Sequence, residues 1–196
     1  MTSLYFAAHC ARARHGTYSP GHWLDTFEID GVPVSLMICA SEFTPEIARL
    51  PALKGSKVLF YISYEGDVSK YVEQYQPSNP DSRMMFDVAY QVLPQARAIE
   101  NHMFVIQANA AEMVENVGTM GGSHGESKIV DTLGHMIAKG PVYGETLLVA
   151  TLNLAEASPP TFERMREQLP MFAKMWEAGM ATVFSRMPIE MRKLSV

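Results

Sequence analysis

The sequence predicts an α/β domain built on buried sheets, and three observations carry that reading. Short apolar runs of strand length recur at 32–38 (VPVSLMI), 57–64 (KVLFYISY) and 102–109 (HMFVIQAN). Continuous apolar strands of this kind belong to sheets covered on both faces. Segments with helical signals lie between them, and alternating strands and helices give a layered α/β architecture. No internal repeat or low-complexity linker interrupts the order.

The elements follow in sequence. Residues 1–22 contain the turn markers Gly16, Pro20 and Gly21. Residues 23–30 (WLDTFEID) alternate apolar and polar, as a half-buried strand does, and Gly31 turns the chain into the strand 32–38. Residues 42–54 form a short helix with Thr44 as N-cap, Pro45 at the first helical position and Gly55 after its end. A strand at 57–64 follows, then a polar loop at 65–82. A long helix spans 81–101, with Met84, Met85, Val88, Val92, Ala96 and Ile99 as its apolar stripe and Pro94 as a kink. Three strands are expected at 102–109, 125–131 and 145–153. A C-terminal helix covers 160–180, with Phe162, Met165, Leu169, Phe172 and Trp176 on one face.

Composition narrows the function. The 196 residues are 47 % hydrophobic and 19 % charged, enough apolar content for a real core. A net charge of −5 argues against a phosphate-binding surface, so no nucleic acid partner is expected. The two cysteines, Cys10 and Cys39, cannot frame a disulfide scaffold. The six histidines lack metal-ligand spacing, so neither metal nor cofactor is expected. No apolar run is long enough to span a bilayer, and residues 1–16 do not read as a signal peptide. The expectation is a cytoplasmic protein without a membrane partner. Fourteen methionines are read as flexible core filler.

One segment carries chemistry. Cys39 stands where the strand 32–38 ends and a helix is about to begin. Such a turn exposes a side chain above the sheet, and the nearby helix N-terminus favours a thiolate. Backbone N–H groups just after the cysteine, beginning with Ala40, can converge on an oxyanion. A cysteine ending an apolar strand is also an ordinary small buried residue, and position alone leaves both readings open.

The surroundings of Cys39 resemble the nucleophile segment of the nitrilase superfamily of carbon–nitrogen hydrolases: ICASEFTPEIARLPALKGSKVLFYIS. Three further stretches resemble the family in the same order. They are Arg97-Ala98-Ile99-Glu100-Asn101 with the strand to Asn109, the hairpin pattern Gly125-Glu126-Ser127 through Val130-Asp131 and Gly134, and Glu145 with the strand LLVATLNL. Tyr18 to Gly21 is similar to the family's aromatic-x-Pro-Gly turn. The match covers roughly 17–157.

The resemblance implies an αββα four-layer sandwich. It also implies a Cys–Glu–Lys triad that cleaves a carbon–nitrogen bond through a thioester acyl-enzyme. Cys39 is then the nucleophile and Ala40 contributes an oxyanion N–H. The implied substrate is a small carboxamide, less readily a nitrile or an N-carbamoyl compound, and the feel is closest to aliphatic amidases. Family members commonly associate, so a homo-oligomer is expected.

The sequence departs from the family early. Only 38 residues precede Cys39, so the expectation is a sandwich without its N-terminal strands and helices, and the base Glu and the Lys are unknown. No lysine occurs before Lys54, and Arg12 and Arg14 are the only Lys or Arg residues that precede Cys39; Asp25 and Glu28 read as solvent-facing. Glu46 is read equally as a dipole-stabilising residue or a pocket residue. Ser63 and Tyr64, ending the strand after Cys39, are pocket candidates, whereas Ser41 and Glu42 read as solvated loop. Glu100 reads as structural and His124 as part of a flexible loop. The expected organisation is a hydrolase domain at 1–157 and a helix and tail at 158–196 packing on the domain or a partner subunit. The alternative reading is a catalytically dead or truncated protein acting as a binding or scaffold subunit.

Overall fold

A computed structural model describes residues 24–63, 82–111, 125–157 and 167–186. The chain divides into two compact units, Met1–Pro159 and Pro160–Val196.

The first unit is organised around a six-stranded sheet in sequential order. Strand β1 (Phe27–Ile29) pairs antiparallel with β2 (Val32–Ile38) through a tight turn in which Asp30 and Gly31 both have positive φ. A 3-10 turn (Cys39–Phe43) and helix α1 (Pro45–Leu53) follow, with Thr44 between them and Pro45 opening the helix as expected. Strand β3 (Val58–Ser63) lies parallel to β2. Helix α2 (Ser82–Asn101) crosses back, and β4 (Phe104–Asn109) lies parallel to β3. Pro94 sits within α2 without ending it. Strands β5 (Lys128–Val130) and β6 (Met136–Lys139) close the sheet as an antiparallel hairpin.

The pairing registers sort the strand residues into two faces. One face carries Ser35, Leu59, Tyr61, Ser63, Val105, Gln107 and Asn109, all buried, with α1 packed against β2 and α2 against β4. The opposite face is built in rows. Phe27, Val34, Val58 and Phe104 form the first row. Leu36, Phe60, Ile106, Ile129 and Ala138 form the second, and Ile38, Ile62 and Ala108 the third. Leu152, Leu154 and Ala157 pack on the first row and the start of the second. Lys57 ties that segment down by donating to the carbonyl of Leu154 at 3.2 Å.

Three expectations are corrected. The inward face of α2 is Tyr90, Pro94, Arg97, Ala98 and Asn101, whereas Val88, Val92 and Ile99 are about half exposed. The apolar stripe is therefore out of phase with the buried one, because the buried polar groups of α2 find hydrogen-bond partners in the fold. Residues 145–153 join no strand ladder among the described residues. Burial nonetheless alternates strictly from Leu147 to Leu154, with Leu147 85 % and Val149 79 % exposed. The segment has the period of a strand without a paired neighbour. Ser41 and Glu42, read as solvated loop, are instead buried.

The second unit contains helix α3 (Leu169–Arg186) and a row of exposed apolar side chains that includes Phe172, Trp176 and Met180. Phe162 and Met165 lie outside the described residues. No described helix is long and apolar enough to cross a membrane.

Candidate active site

Because β2, β3 and β4 run parallel, their C-terminal ends share one edge of the sheet. Cys39 follows Ile38, which registers with Ile62, and Ser63 registers with Asn109. In such sheets this is the edge at which ligands bind. Cys39 is half-buried and unpaired in a disulfide, with φ +46°. A left-handed backbone at a residue with a Cβ costs roughly 1–2 kcal/mol and persists only where the surroundings enforce it.

Those surroundings are visible in the turn. Arg97, buried on α2, donates to the carbonyl oxygen of Glu42 from Nε at 3.2 Å and from Nη2 at 2.6 Å. Its remaining nitrogen, Nη1, pairs with Glu100 at 3.1 Å. Asn101 donates to the Arg97 carbonyl at 2.8 Å, and Ala98 is fully buried. The Arg-Ala-Ile-Glu-Asn stretch thus clamps the turn that begins with Cys39.

Glu42 itself is electrostatically perturbed. Burial pushes its carboxyl up to about 7, against the pull of the Arg97 and Lys128 charges. Its Oε2 has no hydrogen-bond partner among the described residues. Lys128 is fully buried on β5; its ammonium donates to the Tyr90 carbonyl at 3.1 Å and sits 3.8 Å from the centre of the Tyr90 ring. Sequence reasoning missed Lys128, and the available signal was a lysine inside the apolar run KIV.

The hairpin motif also resolves into jobs. Gly125 has φ +57°, and a Cβ there would overlap the carbonyl oxygen of Val142. Its own carbonyl accepts from Tyr90 Oη and from Asn109 Nδ2. Ser127 Oγ accepts from the Asn109 N–H and donates to the Asn109 carbonyl, closing a strand-like pair with a side chain. Asp131 accepts from the Leu133 and His135 amides at 2.9 and 2.8 Å, shaping the turn at Gly134. Those bonds hold its carboxyl below the usual range despite partial burial.

The remaining candidates are placed as follows. Ala40 lies in the 3-10 turn directly after Cys39. Glu46 is half-buried in the first turn of α1. Ser63 is buried, donating to Asn109 Oδ1 at 3.1 Å and accepting from Gln107 at 3.4 Å. Tyr64, His124, Arg12, Arg14 and the turn at Tyr18–Gly21 lie outside the described residues. Glu28 is exposed and Asp25 pairs with Lys54 at 3.4 Å. A cleft of about 390 Å³ opens beside Asn109, lined by Ser127, Pro141, Glu145 and Thr146 among others; Cys39 is not in its lining. Among the described residues no His/Cys/Asp/Glu cluster could hold a metal ion.

This chain belongs to the carbon–nitrogen hydrolase family, whose model matches residues 8–159. Among curated relatives it is 32 % identical over 143 residues to the hydrolase in the agr operon of Staphylococcus aureus, covering 73 % of this chain and 44 % of that protein. It is 27 % identical to a citrullinase of Francisella tularensis (74 % and 48 % covered) and 26 % identical to an omega-amidase of Mus musculus (88 % and 53 %). Two solved structures share the fold. Nit3 of Saccharomyces cerevisiae, a member of the nitrilase superfamily, matches with TM-score 0.51 and 24 % identity, over 67 % of this chain and 41 % of that one. A carbon–nitrogen hydrolase from Helicobacter pylori matches with TM-score 0.52 and 24 % identity, over 65 % and 43 %. The chain spans about half the length of the curated relatives it matches.

Proposed function

We propose that this chain carries the nucleophile of a hydrolase acting on a small carboxamide, with Cys39 as the attacking group. One observation supports the reading most: Cys39 sits in a left-handed backbone conformation at the end of a parallel strand, in a turn held by Arg97. Strain of this kind at a sheet's C-terminal edge is a hallmark of nucleophile turns.

In the proposed reaction the Cys39 thiolate forms a C–S bond to the amide carbon. The C–N bond breaks, and the proton given up by the thiol goes to the leaving nitrogen, which departs as ammonia. Water then attacks the thioester carbonyl, releasing the acid and restoring the thiol. Ala40 N–H stabilises the developing oxyanion. Glu46 and Ser63 are pocket residues in this reading, as is Tyr64. The omega-amidase among the relatives supports an amide over a nitrile. A reducing compartment, the cytoplasm, suits a free thiol nucleophile.

A second reading is a non-catalytic member of the family that acts through binding. Intact mass after incubation with amides, nitriles and N-carbamoyl compounds separates the two. A Cys39-dependent acyl adduct, absent in Cys39→Ala, supports the nucleophile and identifies the substrate class. No adduct with any compound favours the second reading.

A further inference from the structure

Two groups of the Cys39 turn meet the same guanidinium. The carbonyl oxygen of Glu42 accepts from both Nε and Nη2 of Arg97, and the Glu42 side chain, in a residue only 3 % exposed, lies where the Arg97 charge acts on it. A guanidinium offered a carboxylate and a neutral carbonyl takes the carboxylate, because opposite charges attract more strongly and two oxygens match the fork. Here Arg97 gives both bonds to the carbonyl, and Glu42 Oε2 has no hydrogen-bond partner among the described residues. That arrangement is the one an uncharged Glu42 carboxyl permits. Burial favours the same form and pushes the carboxyl up to about 7.

Ionisation changes the competition. Arg97 Nη1 is committed to Glu100 at 3.1 Å, so a Glu42 carboxylate competes for the nitrogens that hold the carbonyl. The turn packs against α1, β2, β3 and α2. Among the described residues, the titratable groups on those elements are Glu46 and Arg49 on α1, Tyr61 on β3, and Tyr90, Arg97 and Glu100 on α2; β5 adds Lys128. Arg97 and Lys128 are the charges that act on Glu42, and Arg97 is the one that holds the backbone of the turn.

We propose that Glu42 is a positioning residue for Cys39 and acts in its neutral form. Protonated, it leaves Arg97 on the carbonyl, and the left-handed backbone at Cys39 stays enforced. Ionised, it draws the guanidinium off the carbonyl, and the turn relaxes. A backbone at φ +46° persists only where its surroundings over-determine it, so a loosened clamp lowers the reactivity of Cys39. The latch acts on the thiol itself and does not depend on which bond Cys39 attacks.

The rate of iodoacetamide labelling at Cys39 in the whole chain tests the proposal. It is followed from about pH 5.5 to about pH 9 by the mass of the Cys39 peptide, and divided by the rate of a small free thiol at each pH. Glu42→Gln keeps the side chain neutral throughout. The ratio of its rate to that of the wild type is expected to rise at least about threefold between roughly pH 6 and roughly pH 8. A constant ratio overturns the proposal. In an Arg97→Lys background the rise in that ratio is expected to vanish. A rise that persists there shows the Glu42 charge acting on the thiol without the clamp, and overturns the latch. Should Glu42→Gln fail to fold, hydrogen exchange of the wild type supplies the answer. Protection of the amides in residues 39–44, corrected for the intrinsic effect of pH, falls over the same range if the latch opens. Protection that does not change with pH refutes it.

Discussion

Arg97 grips the carbonyl oxygen of Glu42 with two nitrogens, at 2.6 and 3.2 Å, and so ties helix α2 to the turn that begins with Cys39. A buried guanidinium with two bonds to one backbone oxygen fixes that turn more firmly than an ammonium could.

Arg97→Lys therefore keeps the charge and loses the fork. The expected outcome is destabilisation of about 1–3 kcal/mol in urea unfolding, with slower iodoacetamide labelling of Cys39 in the folded protein. Unchanged stability and labelling together would show that the clamp does not hold the turn.

Glu42 makes stability depend on pH with a definite sign. Its carboxyl is raised from 4.5 to about 7, so between these values the folded protein binds more protons than the unfolded chain. Stability then falls as pH rises from 4.5 to 7, by on the order of 3 kcal/mol if no other group compensates. Glu42→Gln flattens this fall, and its advantage over the wild type is small near pH 5 and larger near pH 8. Parallel urea midpoints for the two proteins across that range would refute the assignment.

Lys128 pulls the Glu42 carboxyl down by its charge. Lys128→Met removes that pull at nearly constant volume. The pH-dependent loss of stability then extends to higher pH than in the wild type, measured by the same urea series. A shift in the opposite direction would mean that the two groups do not interact as the structure indicates.

Tyr90 Oη donates to the Gly125 carbonyl and accepts from Asn109 Nδ2 at 3.3 Å. Tyr90→Phe keeps the ring beneath the Lys128 ammonium and removes the hydroxyl. A loss of about 1–2 kcal/mol is expected in thermal or urea unfolding, because a buried carbonyl loses a donor. Tyr90→Leu costs more, since the cation loses its aromatic face as well.

Much of the fold was legible because its signals are local. β2 and β3 appear as apolar runs, Pro45 and Thr44 mark the start of α1, and Gly134 marks the hairpin. Cys39 was legible from its place between a strand and a helix. The hairpin motif was legible as a pattern, although its reasons were not: Gly125 is required by the approach of Val142, and Ser127 by its bonds to the Asn109 backbone.

Other features were decided by contacts between distant residues. Nothing local to Ser41 and Glu42 says that they are buried; the Arg97 clamp, 55 residues away, puts them there. The phase of α2 was misread because its inward face carries Tyr90, Arg97 and Asn101, polar groups that become favourable inside only once the turn, the hairpin and the helix backbone supply their partners. Residues 147–154 have the alternation of a strand, but a ladder needs a neighbour, and alternation alone cannot supply one. The sequence by itself determined the class of fold and the places of β2, β3 and β4 along the chain, since these follow from periodicity and turn chemistry. Which polar groups are buried only the tertiary structure decided, because burial is a property of what packs against a residue.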